Sequence, residues 1–468
     1  MCFIHPAATF SVHCTASCPA TGGLQELEEL QEHGAEARET PGETPRGSPL
    51  LSRVSPVTTT TMACFSYVAL LVTLCCSGAS AFHRRPRGFH SRSVPDELWS
   101  STEQLVAMRG YECEVHTVRT PDGYELTLHR IPRAKATKAE DDYGRHGTPV
   151  LFAHGLASNS EMFALGPSAA YYLVDAGFDV WLVNYRGSFY GQKHVSLKPQ
   201  SRAFWDFSWN ENGLIDQPTF IDYILKTTGR PKLFTVGHSM GATTQVVMMS
   251  EMPEYAKEKV ISSVLLAPGI YFRKPGGLMR VLDLIYGAYP QLKNSHTSLV
   301  LNGKMPLGDQ DLLPVCFAGD QLRELCRGPM TMMMGPPHTP DYRTFQKLMA
   351  HYPNGGSIRQ FMHYLQSTTS GGFRKYDFGP EKNQRLYGSL EPPSYNLSAI
   401  ATPVHVFYGT GDYLTTPKNV VRFIKRCPTV QKVHAVPHFN HVDFITGDDY
   451  IVTELVNKKI LEVFQSYL

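Results

Sequence analysis

Lys232-Leu233-Phe234-Thr235-Val236 runs directly into Gly237-His238-Ser239-Met240-Gly241 and then Ala242-Thr243-Thr244-Gln245-Val246-Val247. Read along the chain, this is a strand, a tight turn with a serine at its apex, and a helix. A turn of this kind, a nucleophile elbow, holds its serine in a strained backbone conformation that lifts the hydroxyl out of the fold. A Cβ at either flanking glycine would collide with the neighbouring strand or helix. Gly-x-Ser-x-Gly alone arises by chance about 0.2 times in a chain of this length at ordinary residue usage, so the flanking strand and helix carry the reading.

Outward from the elbow, strands and helices alternate, which predicts a mostly parallel α/β sheet covered on both faces. Tyr111 to Thr117 and Tyr124 to Ile131 flank the turn Thr120-Pro121-Asp122-Gly123 and read as a leading hairpin. Pro149 to Ala153 is a buried strand ending in His154-Gly155-Leu156. Val180 to Asn184 is another, preceded by a helix from Ala169 to Ala176, and Val264 to Pro268 follows the elbow helix. Beyond Pro268 the rhythm breaks. Through about Tyr395 the chain is punctuated by Met, Pro and Gly, with helical pieces and no strand alternation, until strands return at Pro403 to Tyr408 and Gln431 to Val436. The stretch 269–395 therefore reads as an insertion over the carboxyl ends of the strands, where such sheets bind ligands.

A serine hydroxyl is a poor nucleophile at its own pKa and needs a general base, which in turn needs an orienting carboxylate. In an elbow fold these follow in the order Ser, acid, His. Asp412, in Gly409-Thr410-Gly411-Asp412, sits just past a late strand; Asp443 is its rival but adjoins the candidate histidines. Of His434, His438 and His441, the first lies within a strand and the other two share the following loop. His441, in Asn440-His441-Val442-Asp443, is the preferred base, with His438 as the alternative. Backbone N–H groups of Met240 and Leu156 are placed to receive the developing oxyanion. His154 reads as a local hydrogen-bonding residue that shapes its loop. Neither a metal nor an organic cofactor is required.

Composition is that of a globular protein, with 42% hydrophobic and 18% charged residues and a net charge of +2, which suggests no nucleic-acid partner. The first sixty residues differ, being rich in Glu, Gly, Pro, Ser and Thr between Thr21 and Pro56, and 1–61 is expected to be disordered or a mis-assigned start. From Met62 an apolar run of about a dozen residues leads to Ser77-Gly78-Ala79-Ser80-Ala81, a secretory signal over 62–81 cleaved after Ala81, although no Lys or Arg precedes the run. It is too short for a transmembrane helix, which takes about 20 apolar residues. Cys113, Cys316, Cys326 and Cys427 survive cleavage; Cys316 and Cys326 could close a short loop, while Cys113 and Cys427 could pair or stay free. Asn396-Leu397-Ser398 is a glycosylation sequon.

From about Glu97 to Tyr467 the chain resembles the animal acid lipases, the group that includes gastric and lysosomal acid lipase. The resemblance rests on Thr120 to Tyr124, His154-Gly155-Leu156, Ala176 to Leu182, Asn184-Tyr185-Arg186-Gly187, Gly237-His238-Ser239, Leu266-Ala267-Pro268, Pro392 to Asn396 and Asn440 to Phe444. It implies an α/β-hydrolase fold whose core, 82–268 and 396–468, carries a helical cap at 269–395. Implied with it are a Ser239, Asp412 and His441 triad, oxyanion donors at Leu156 and Met240, and a cap disulfide between Cys316 and Cys326. The implied activity is hydrolysis of lipid esters, triacylglycerols or cholesteryl esters, at a lipid–water interface by a secreted or lysosomal protein. Two other readings are an inactive lipid carrier on the same scaffold and a small-ester hydrolase. Met240 stands where the family usually has Gln, and both Met330-Thr331-Met332-Met333-Met334 and the spacing between Cys316 and Cys326 are unfamiliar.

Overall fold

A computed structural model describes residues 100–132, 147–166, 168–277, 280, 327–328, 330–338, 344, 348 and 350–468. Helix α1 (Thr102–Met108) starts on a capping box in which Ser101 accepts from Gln104 N while the Gln104 side chain accepts from Ser101 N. Strands β1 (Glu114–Arg119) and β2 (Tyr124–Ile131) then form the antiparallel hairpin, turning on Gly123 at φ +100°. The hairpin's first strand begins and ends later than the sequence suggests. Its charged ends belong to the ladder, because Glu114 faces Arg130 and Arg119 faces Glu125, each pair joined at 2.9 Å.

The remaining strands are β3 (Pro149–Ala153), β4 (Asp179–Val183), β5 (Lys193–His194), β6 (Leu233–His238), β7 (Val260–Leu266), β8 (Val404–Gly409) and β9 (Val430–Val436). Their order across the sheet is β1-β2-β4-β3-β6-β7-β8-β9, with β5 paired to β2. From β4 to β9 every pairing is parallel. Period-two alternation divides the strand side chains between two cores: Leu151, Trp181, Leu265 and Val406 pack on one face, and Val150, Leu182, Val264 and Phe407 on the other. Two residues are too few for β5 to be read from sequence. Strand β7 starts at Val260 rather than Val264; Thr235 Oγ1 donates to Ser263 Oγ and Ser263 Oγ to Gln245 Oε1, which lets Ser263 lie in a buried strand.

Helix α2 (Ala169–Asp175) precedes β4, α3 (Gln217–Thr228) precedes β6, and α4 (Met240–Glu251) follows the elbow, buried from Met240 through Ser250. Between β7 and β8, the described residues form α5 (Ile358–Ser370), which runs from a Ser357–Gln360 capping box to Gly371 at φ +61°, and α6 (Pro380–Tyr387). An isolated bridge joins Arg374 to Ser394. After β8 come α7 (Pro417–Ile424), β9 and the closing helix α8 (Lys458–Gln465). No helix of the described residues is long and apolar enough to cross a membrane. The expected leader at 62–81 and the Cys316–Cys326 pair lie outside the described residues.

Candidate active site

Ser239 has φ +54° and ψ −111°, a conformation that a non-glycine residue adopts only under strain. Both glycines of the elbow are sterically required. A Cβ on Gly241 would land on the Ala153 carbonyl, and one on Gly237 would lie 2.6 Å from Ala242 N. The turn is pinned by Ser239 N donating to Leu266 O at 2.9 Å and Thr243 N to Ser239 O at 3.1 Å. Its serine is half-buried, so the hydroxyl is reachable.

Three residues separated by up to 202 positions converge there. His441 Nε2 lies 2.8 Å from Ser239 Oγ, and His441 Nδ1 lies 2.8 Å from Asp412 Oδ2. Asp412 Oδ1 accepts from Leu414 N and Thr415 N, both at 2.8 Å, and Oδ2 also accepts from Thr415 Oγ1 at 2.6 Å. Burial alone would raise the Asp412 carboxyl, but the His441 charge and hydrogen bond, with those from Thr415, overcome it and hold its pKa below the usual value. The loop of Asp412 must pass close to the loop of His441. Gly411 N donates to Phe439 O at 2.9 Å, and a Cβ on Gly409 would strike the same carbonyl.

Leu156 and Met240 flank the serine from two sides. The Cβ position of Gly155 falls 3.4 Å from Ser239 Cβ, which puts the loop after β3 against the nucleophile, and Met240 opens α4. Neither residue's backbone N–H has a hydrogen-bond partner among the described residues, and the N-terminal end of a helix favours negative charge. His154 behaves as a shaping residue: Nδ1 donates to Gly155 O at 2.8 Å and Nε2 accepts from Tyr185 N at 3.1 Å. Burial holds its pKa down to about 4. Because the Gly155 carbonyl shares a peptide plane with Leu156 N–H, this bond aims that donor.

The rival residues are elsewhere. His438 is exposed and stacks on His338 at 5.1 Å, and His434 stacks on Phe407 along β9. Asp443 turns away to accept from Asn440 N at 2.7 Å and His338 N at 3.1 Å. Cys113 and Cys427 are both free thiols, and burial pushes that of Cys113 up to about 12. Asn396 is exposed, with its Oδ1 engaged by Ser398.

Sequence reading missed several supporting residues. Thr415 is one; its Asp-x-x-Thr spacing is the available signal, since a hydroxyl three residues on can fold back to the carboxylate. His238, whose Nε2 lies 2.9 Å from His441 O, is another, hidden inside the elbow motif. Most distant are residues of the stretch between β7 and β8. Met334 O accepts from both Tyr413 N and His441 N, at 3.3 and 3.2 Å, and Gly335 O accepts from Asn440 Nδ2 at 2.9 Å. On the oxyanion side, Asn354 N donates to Ala157 O at 2.6 Å and His351 pairs with buried Glu161 at 2.8 Å. No local pattern announces these contacts.

Comparison with known proteins gives two family matches: alpha/beta hydrolase fold over residues 148–448 and a partial alpha/beta-hydrolase lipase region over 102–166. The chain is 35% identical to Lipase 1 of Drosophila melanogaster over 380 residues, covering 80% of this chain and 81% of that protein. It is 32% identical to Lipase member N of Mus musculus, covering 80% and 92%. To Lipase member N of Homo sapiens it is 30% identical, covering 80% and 93%.

Proposed function

The chain belongs to the animal acid lipase family of α/β-hydrolases and is a lipase, a hydrolase of lipid carboxylic esters, and from that premise we propose that Ser239, His441 and Asp412 carry out the reaction. The observation that carries the assignment is the continuous Ser239–His441–Asp412 hydrogen-bonded relay. His441 Nε2 accepts the Ser239 proton as Oγ adds to the ester carbonyl. Leu156 N–H and Met240 N–H receive the oxyanion, and the imidazolium then protonates the leaving alcohol. Water, activated by the same nitrogen, cleaves the acyl-enzyme. Asp412 fixes the Nδ1–H tautomer and steadies the imidazolium throughout.

Residues 269–395 act as the cap of this site, supported by the contacts that tie their described parts to the base loop at Met334 and to the β3 loop at Asn354. Beside the Asp412 loop, Met332 is 54% exposed and Tyr413 43%, apolar surface suited to lipid. Triacylglycerols or cholesteryl esters presented at a lipid–water interface are the substrates of this reading. A secreted or lysosomal location, with glycosylation at the exposed Asn396, completes it.

The test combines covalent labelling with a chain-length panel of esters. Ser239→Ala abolishes labelling by a serine-directed phosphonate, His441→Ala nearly does so, and His438→Ala leaves it largely intact. Wild-type activity on esters rises sharply once the substrate exceeds its solubility. A damaging His438→Ala would displace the base assignment. A smooth hyperbola without long-chain activity would make the protein a soluble esterase, and labelling without turnover of any ester would make it a lipid carrier.

A further inference from the structure

His238 precedes the nucleophile, is fully buried, and takes no part in the relay. Its Nε2 lies 2.9 Å from the carbonyl oxygen of His441. A carbonyl carries no proton, so Nε2 must be the protonated ring nitrogen and must donate. Nδ1 is then a bare acceptor, buried against Gly155, with no partner among the described residues. An apolar side chain would fill this space without leaving an unmet acceptor, so the single bond to His441 is the feature that favours an imidazole here. Burial and the neighbouring His441 hold the His238 pKa down to about 3, which keeps the ring neutral and the donor tautomer in place through mildly acidic conditions.

The bond has a specific mechanical consequence. Before reaction, the His441 ring is held to the elbow by Ser239 Oγ. Once Ser239 is acylated it has no proton to donate, and that tether is gone at the step where His441 must activate water. The contact from His238 lies outside the reacting atoms and survives acylation. With Met334 O holding the His441 amide, the peptide of the base is fixed on both sides.

We propose that His238 is a positioning residue for the base, holding the His441 carbonyl through Nε2–H so that the imidazole stays in register chiefly during hydrolysis of the acyl-enzyme. This rests on His441 being the base, which the labelling of Ser239→Ala and His441→Ala tests separately.

The experiment compares H238Q and H238M in the full chain on p-nitrophenyl butyrate, with rates normalised to phosphonate-titrated sites and the pre-steady-state burst recorded. Gln places its amide nitrogen where the ring carries Nε2 and can donate; Met has the same reach and cannot. In H238M, kcat falls ~10- to 100-fold while the burst rate changes less than ~3-fold, the scale expected for a misplaced base. Gln restores most of kcat. Equal loss in both variants, retained kcat in H238M, or a burst slowed as much as turnover would overturn the proposal. If H238M yields no titratable protein, H238N replaces it: its amide stops at the Nδ1 position, short of the carbonyl, and the same loss relative to Gln is expected.

Discussion

The Asp412 carboxylate accepts from four groups: two backbone N–H groups, the Thr415 hydroxyl and His441 Nδ1. Thr415 Oγ1 and His441 Nδ1 share one oxygen, so the hydroxyl both stabilises the charge and fixes the lone pair that faces the imidazole. Hydrogen bonds to charged groups contribute roughly 1.5–3 kcal/mol. Thr415→Val removes one of the influences that keep the Asp412 pKa below its ordinary value, so that pKa rises. The carboxylate is then protonated at higher pH than in the wild type, so activity at the most acidic end of the acid limb of the kcat/KM profile is lost at higher pH. An unchanged acid limb would mean that the backbone donors and His441 alone hold the carboxylate.

Residues 330–338 act as a strut between the loops of the acid and the base, since Met334 O bridges Tyr413 N and His441 N. Gly335 makes the approach possible. It lies at φ +97°, and a Cβ there would strike the Gly411 carbonyl. Gly335→Ala therefore costs about 1–3 kcal/mol through backbone strain and lowers kcat more than it changes KM, because the triad rather than substrate binding is displaced. Steady-state kinetics with thermal unfolding checks both; a mutant altered only in KM would assign the strut to substrate contact instead. Such a strut is absent from local sequence because its partners lie about a hundred residues apart. The elbow was legible because its glycines answer steric demands of adjacent elements, and the strands were legible where alternation was clean. Ser262 and Ser263 hid the start of β7: both are buried, and the partners that make this possible for Ser263 lie on other elements. Asp412 and Asp443 were separable by their order along the chain, and the structure adds the reason: Asp443 is occupied in folding the base loop.

At the scale of the whole molecule, four buried histidines among the described residues have pKa values held down mainly by desolvation: His154 and His405 to about 4, His238 and His363 to about 3. In the unfolded chain each titrates near the ordinary 6.5, so between that value and the folded one the unfolded state binds more protons. Their contribution to stability is full above about 6.5 and is lost as pH falls toward 3–4. Asp216 and Asp443, raised by burial, act in the opposite sense, favouring the folded state in acid. With four histidines against two carboxyls, the melting temperature of inactive Ser239→Ala should fall steadily from pH 7 to pH 5. A flat or rising profile by scanning fluorimetry would instead mark a protein adapted to an acidic compartment. The sheet order carries one more consequence. The nucleophile sits on central β6, whereas the acid and base follow β8 and β9, the last strands made and the outermost on that side. A ribosome therefore releases a finished elbow long before it releases anything that can take the serine's proton. The growing chain is thus an unarmed enzyme, able to cut only once the loops after β8 and β9 have folded onto the elbow.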